Sequence, residues 1–449
     1  MEEKLTTKQI NHIVRYRWVC FFALALVGLV SQFHRNVMGV IHDDLIRDFQ
    51  LNSTSYSLLS SMYFYPYVVM QIPSGILCDK LGIRKTIFYG GIATSLGSLI
   101  FSISNSFPLL CLGRALVGIG VAPMTVSMQK LASNWFRSRE SATINGINST
   151  IGAVAGFLSQ APLAMLISYV SWTKVFFYIT LGTVGIYIIS VVFIKDKPAD
   201  MNLPSIAEME GHADKVKKIK KVSTKKALWN VVRNKNMWPM FLITPVVMGA
   251  NTVFSGTWGI PYLREVYGLN NIEASTMTSY LMLGTFIGSF SIGRLSDKLL
   301  SRKKVMTGIL VVIATEWLLI AFGSKILGSS TLLLSIAMFL FGFTTAAPGL
   351  CLTTIRELNS PLYVGMAVGL GNTVGMAACA IFPTLCGSIA DRYDGSAAFL
   401  KYGHVFGFIA ILTALSLLVS AFVLKDTHCK YLKPDYVGRK RRTQMKRNL

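Results

Sequence analysis

Three charged side chains stand well inside long apolar stretches of this 449-residue chain: Arg35, Arg114 and Glu316. A charge at the centre of a membrane-length helix costs roughly 2.5–3.5 kcal/mol on insertion scales, so each is a functional candidate by its position alone. A guanidinium shielded from water binds a carboxylate or phosphate through two parallel hydrogen bonds. On a helix, Ser31, Arg35 and His42 share one face, and His34 lies about 60° from it. Arg35, with His34 and Ser31, is the first candidate for an anion clamp. Its competing roles are snorkelling to headgroups and pairing with Asp43 or Asp44. Arg114 offers the same chemistry, or a structural hydrogen bond to backbone carbonyls of the first or second apolar stretch. Glu316 is a proton site, or a carboxyl hydrogen-bonded within the packing to neighbours such as Thr315. Asn251, Ser255, Trp258 and Tyr262 fall on one helical face. With Asn148, Asn372, Thr344 and Thr345 they could bind a polar solute, or join helix to helix.

The elements that position these residues are legible in the composition. Hydrophobic residues make up 52% and charged residues 14%, against about 25% charged in ordinary soluble domains, and the mean hydropathy is +0.50. Disorder, collagen and coiled coil are excluded. Cys20, Cys78, Cys111, Cys351, Cys379 and Cys386 lie in or beside apolar runs, without the spacing of a metal site or disulfide framework. No phosphate-binding Gly-Lys-Ser/Thr loop, His/Glu metal pair or serine nucleophile elbow is present. An enzyme, a cofactor and a metal are therefore not expected.

A membrane helix needs about 20 mostly apolar residues. Twelve candidates occur, numbered here as spans 1 to 12: 17–41, 56–78, 86–104, 108–130, 141–165, 174–194, 237–261, 274–296, 304–323, 331–354, 363–389 and 401–424. They do not alternate as barrel strands would. The first run is too long for a cleaved signal and lacks a small-residue cleavage site, so it is expected to stay as span 1. The formal charge of +23 follows from topology. With both termini inside, and with the span-end residues Arg17, Lys130, Arg294 and Lys304 counted inside and Lys174 and Lys401 outside, the inner side holds 36 Lys and Arg and the outer side 6, the remaining two being Arg35 and Arg114. This predicts a multi-pass inner (plasma) membrane protein with both termini cytoplasmic, and no nucleic-acid partner. Expected domains are a six-helix bundle (1–194), a Lys-rich cytoplasmic linker with a short surface helix (195–236), a second bundle (237–424) and a basic tail (425–449) drawn to anionic headgroups.

The halves repeat. GILCDKLGIRK (75–85) returns as GRLSDKLLSRK (293–303), at an offset of 218. GIGVAP (118–123) is echoed by TTAAP (344–348), and Gly146 and Gly152 by Gly369 and Gly375. Three echoes in one order mark two parallel six-helix halves, the repeat logic of secondary transporters with substrate bound between the halves.

On these residues the chain resembles the major facilitator superfamily over nearly its whole length. The motif G-x-L-x-D-x-x-G-x-R-K after span 2, repeated after span 8 with Leu300 in place of Gly82, carries the resemblance. In that family the Asp caps the cytoplasmic end of a neighbouring helix and the Arg pairs with it. The resemblance thus implies that Asp79/Arg84 and Asp297/Arg302 are gating latches, while Lys80, Arg84 and Lys85 also keep the loop inside. Phe33-His34-Arg35, Tyr63 to Gly75, Gly113-Arg114-Ala115 and Trp258 to Tyr262 look most like the bacterial branch of sugar-phosphate and organic-anion permeases. The resemblance implies an all-α fold of two pseudo-symmetric bundles with spans 1, 4, 7 and 10 lining the cavity. Arg114 and Gly118 match the family's Arg-x-x-x-Gly motif, linked to proton transfer or cavity electrostatics. Span 9, with Glu316, supports the bundle. Phe157 stands where the drug-antiporter signature would place Pro after the second Gly.

The expected function is secondary transport of a small polar, anionic organic solute by rocking alternating access, driven by proton symport or by exchange. The alternatives are a transporter-derived receptor that signals through 195–236 or the tail, and a drug or metabolite exporter, which would want an acid in the cavity.

Overall fold

The computed structural model describes residues 7–137, 140–201, 224–322, 330–360 and 362–430. The residues Lys215 to Lys221 of the basic linker run and Arg439 to Arg447 of the tail lie outside them. Ten helical stretches among the described residues are long and apolar enough to cross a bilayer. One of these, Ser53–Ile103, has 51 residues, more than twice what a bilayer needs. It folds back at Gly82, where φ is 84° and ψ is 171°, and so supplies spans 2 and 3. Span 8, Asn271–Lys298, is 28 residues long, but its Ser, Thr and Gly dilute its hydropathy. The twelve expected spans are therefore present. Their outward faces are apolar, with Ile72 74% and Phe422 81% exposed, as side chains that meet lipid should be.

The chain divides into two compact units. The first is Met1–Ile219 with Gly256–Pro261 and Asn270–Ser279, and the second is Lys220–Ser255, Tyr262–Leu269 and Tyr280–Leu449. The division falls between Ile219 and Lys220, inside the stretch 195–236. The two short pieces of spans 7 and 8 grouped with the first unit were not expected. In the first unit, Phe21, Leu24, Ile87, Leu131 and Trp135 belong to one buried apolar core. In the second, Met240, Ile243, Met306, Leu310 and Ile355 do the same. The short linker helix is Thr224–Val232.

Span 1 runs Thr7–Asn36, five residues short of expectation. The Asn36 side chain bonds back to Gln32 O at 3.0 Å, and a turn closed by Val40 N to Val37 O at 3.2 Å leads into the helix His42–Phe49. Arg35 therefore sits in the last turn of span 1.

The repeat is visible in the backbone. Span 4 is Phe107–Val121 followed by Pro123–Trp135, and span 10 is Thr331–Thr344 followed by Pro348–Leu358. Each restarts at a proline, whose missing N–H is tolerated at the start of a helix. Glycine lets spans 2 and 4 touch: a Cβ on Gly118 would lie 2.1 Å from Tyr63 O. In the second unit a Cβ on Gly342 would lie 1.9 Å from Leu281 O, the same contact between spans 8 and 10. The turn after span 2 needs a positive φ, which Gly82 supplies without steric cost. At the matching place after span 8, Leu300 takes φ 47°, with its side chain 63% exposed. The departure from the motif keeps a positive φ without glycine, at the steric cost of a left-handed conformation.

Candidate functional site

Spans 1, 2 and 4 build a polar cluster inside the first unit. Because Gly118 brings span 4 onto Tyr63, Arg114 one turn earlier reaches the same residue, its guanidinium carbon 5.3 Å from the Tyr63 ring centroid. Nη1 of Arg114 donates to the carbonyl of His34 at 2.7 Å. The Tyr63 hydroxyl donates to Ser31 O at 3.0 Å and lies 3.2 Å from Ser31 Oγ. Arg35 stacks over the next aromatic of span 2, 5.5 Å from the Phe64 ring centroid. Two guanidinium groups thus stand on consecutive aromatic residues.

Their surroundings differ. Arg114 is 1% exposed, and its Nε and Nη2 have no hydrogen-bond partner, nor has His34 Nε2. Spans 1 to 6 contain no Asp or Glu. A buried cation with one carbonyl and one aromatic face is under-compensated, so two donors remain for an anion. Arg35 is half-buried. Asp43 is hydrogen-bonded by His42 at 2.6 Å and Asp44 by Arg47 at 2.9 Å. The sequence put Arg35 first as the anion clamp; the geometry gives Arg114 the drier and more open-handed position, together with the carbonyl contact expected of a structural arginine.

Asn148, from span 5, is partly exposed and stands near Gly28 of span 1. Trp258 also belongs to the first unit and is fully buried, its ring 5.9 Å from His42 and 5.8 Å from Tyr56.

In the second unit, Ser255 Oγ donates to Asn251 Oδ1 at 2.9 Å, and Asn251 Nδ2 reaches Thr345 O at 3.5 Å. A π-helical turn over Val253–Trp258 interrupts span 7 and breaks the face on which Asn251, Ser255, Trp258 and Tyr262 were expected to align. Asn251 and Ser255 stay together. Tyr262 instead donates to Ile320 O at 2.9 Å, its ring packed on Phe254, Tyr402 and Phe406. Asn372 of span 11 is partly exposed. Glu316 Oε2 accepts from Thr344 Oγ1 at 2.6 Å; Thr315 bonds to Val311 O, so the expected neighbour is replaced by one from span 10.

The two loop motifs behave differently. Asp79 is 81% exposed on its side chain and pairs with Lys130 at 3.0 Å. Arg84 donates from Nε to Val191 O at 2.6 Å, and its amide bonds Asp196 at 2.8 Å. The expected Asp79–Arg84 pair is not formed, because the sharp turn at Gly82 is filled by Asp196. Asp297 and Arg302 do pair, at 2.7 Å, and Glu357 takes Arg302 at 2.8 Å. Asp426 accepts from Ser301 and from the amides of Arg302 and Lys303, and Thr427 donates to Glu357. Burial works against charge on Asp426, but the bonds from Ser301, His428 N and Lys303 N and the nearby imidazole outweigh it and hold its carboxyl below the usual range.

Four residues were missed by the sequence: Tyr63, Glu357, Asp196 and Asp426. The last two carried a signal, since Ile194-Lys195-Asp196 returns as Leu424-Lys425-Asp426. Each Asp follows the last span of its half and caps the turn into the third.

The family model described as Major Facilitator Superfamily matches residues 20–270 and 240–440. The chain is 24% identical over 401 residues to the hexuronate transporter of Bacillus subtilis, covering 87% of this chain and 92% of that one. It is 24% identical over 428 residues to the membrane sensor protein UhpC of Salmonella typhimurium, covering 91% and 92%. Among solved structures, a bacterial homologue of the human lysosomal transporter Spinster superposes with a TM-score of 0.72 at 17% identity, covering 92% of this chain and 96% of that one.

Proposed function

This chain belongs to the major facilitator superfamily, a family of membrane transporters and not of enzymes, and from that premise we propose that it carries a small hydroxylated carboxylate by alternating access. The observation that carries the reading is Arg114: a guanidinium buried in spans without an acid, with Nε and Nη2 unpartnered. A substrate carboxylate would complete it through two parallel bonds. Arg35 would add a second positive charge nearby, and Asn148, Ser31 and His34 would serve hydroxyl groups. Trp258, in the first unit, would offer an apolar wall; within the second unit, Asn251 and Asn372 offer amides that suit hydroxyl groups. The hexuronate named for the relative is such a molecule, a sugar bearing one carboxylate. The proposed orientation places both termini and the linker in the cytoplasm.

The test is a thermal-shift screen followed by uptake into proteoliposomes, with glucuronate, a hexose phosphate and neutral glucose as probes. A ligand that binds only the folded state raises its melting temperature. Glucuronate is expected to stabilise the protein and to enter the vesicles, and glucose to do neither. Stabilisation by glucose alone would overturn the anion reading. A second reading, a solute sensor, is favoured by the likeness to the membrane sensor protein. It predicts stabilisation by the anion without uptake.

A further inference from the structure

Glu316 is unexplained by the anion site. It is the one acid remote from the ends of spans 7 to 12 among the described residues, and it has a single hydrogen-bond partner, Thr344 of span 10. Its Oε1 is buried and unpartnered, as is Nε1 of the adjacent Trp317. The elements packed around it bring other titratable groups, which are engaged elsewhere or stand at the far ends of the spans. From span 12, Lys401 and Tyr402 hold Glu265, and His404 bonds Leu400 O. From span 7, Tyr262 bonds Ile320 O and lies 3.4 Å from the hydroxyl of Tyr267. At the far end of spans 9 and 10, Arg302 and Glu357 hold one another, while Lys303, Lys304 and Arg356 lie near those ends. None of the ion pairs among the described residues includes Glu316.

Thr344 has one hydroxyl hydrogen and three acceptors within reach: Glu316 Oε2 at 2.6 Å, Phe341 O at 3.0 Å and Leu340 O at 3.3 Å. An ionised Glu316 can only accept, so it draws that hydrogen. A protonated Glu316 can donate to Thr344 Oγ1, which then turns its own hydrogen to Phe341 O or Leu340 O. The choice matters because Thr344 is the last residue before the break in span 10. Phe341 O already accepts from Thr345 N at 3.0 Å, and Thr345 O accepts from Asn251. The protonation state of Glu316 is therefore linked to the Asn251–Ser255 pair through one hydroxyl and one backbone break, all within the second unit.

We propose that Glu316 is the coupling-proton site of this transporter and that Thr344 relays its state to span 10; this rests on reading the chain as a solute carrier. In the step, a carboxylate oxygen of Glu316 forms a bond to a proton delivered by water, and returns it to water on the other half of the cycle. Nothing else is consumed.

Two measurements on the full-length purified protein test it. The first needs no solute: infrared difference spectra between acid and alkaline buffer. Wild type should show the carbonyl band of a protonated carboxyl in apolar surroundings, and Glu316→Gln should lack it. Identical spectra for the two would overturn the proposal. The second uses glucuronate in proteoliposomes. One pH unit across the membrane sustains about tenfold accumulation for one proton per solute. Glu316→Gln should lose that accumulation while exchanging labelled glucuronate, and Thr344→Val should keep the infrared band yet lose accumulation. Full accumulation in either variant would overturn the proposal. If wild type moves no glucuronate, the solute class fails, and the infrared result still decides the proton site.

Discussion

Arg114 and Arg35 would meet the proposed substrate charge on different terms. Arg114 is desolvated already, so its loss strands a bound carboxylate in a dry site, and a broken charge pair of that kind costs about 2–5 kcal/mol. Arg35 is half-buried and better screened. Arg114→Ala is therefore expected to lower glucuronate affinity at least about tenfold more than Arg35→Ala. Arg114→Lys should not restore it, since an ammonium lacks the two-pronged geometry. Calorimetric titration of the three variants in detergent is the measurement, and equal affinities would remove Arg114 from the site. Tyr63, which seats Arg114, was not legible beforehand: an aromatic in an apolar run looks like any other lipid-facing or core residue until the neighbouring helix is placed. Arg114 was legible, because a charge in such a run needs a reason.

At the scale of elements, the ends of spans are held by carboxylates that come from far along the chain. Arg302 and Glu357 are both buried, and removing one partner of a buried pair costs about 3–5 kcal/mol. Arg302→Gln should lower the melting temperature of the second unit strongly. Arg84→Gln should do little, because Arg84 meets only a carbonyl with its side chain and is exposed. Asp426 caps the start of span 9, and such caps contribute about 0.5–2 kcal/mol. Its carboxyl is held low in the folded state. Its contribution is thus full above the unfolded pKa of an aspartate and is lost as the pH falls through the folded value. Thermal scans of wild type and Asp426→Asn should differ by a constant gap at neutral pH, closing only in strong acid. The repeated Ala-Pro of spans 4 and 10 was legible as an echo between the halves, but the helix breaks at Pro123 and Pro348 were not read from it. The π turn over Val253–Trp258 was not legible, since no Gly-Pro pair or charge marks it, and it undid a face assigned by even helical spacing. Likewise the Asp79–Arg84 pair, expected from the motif, yielded to Asp196, a residue 112 positions away from Arg84.

For the whole molecule, the Lys and Arg bias predicts that Lys218→Cys is shielded from an impermeant thiol reagent in intact cells. Cys111 and Cys429 are partly exposed while the other five cysteines are buried, so those two should be replaced first. Ready labelling of Lys218→Cys from outside would invert the topology. Twelve spans in two halves were legible from hydropathy and the repeat, because lipid leaves the backbone no other choice. The repeated helix contact has a further meaning for descent. Gly118 against Tyr63 O and Gly342 against Leu281 O are one inherited joint. One turn before Gly118 stands Arg114; one turn before Gly342 stands Met338. Where the first copy has Tyr63, the second has Leu281. Glu316, in turn, corresponds at the motif's offset to Ser98, whose hydroxyl is occupied by Thr180 at 2.7 Å. The two copies thus share a helix contact and differ in charge: the first carries Arg114, the second Glu316. A mutation transplanted from one copy to its twin would meet a different side chain, Met338 in place of Arg114 or Ser98 in place of Glu316.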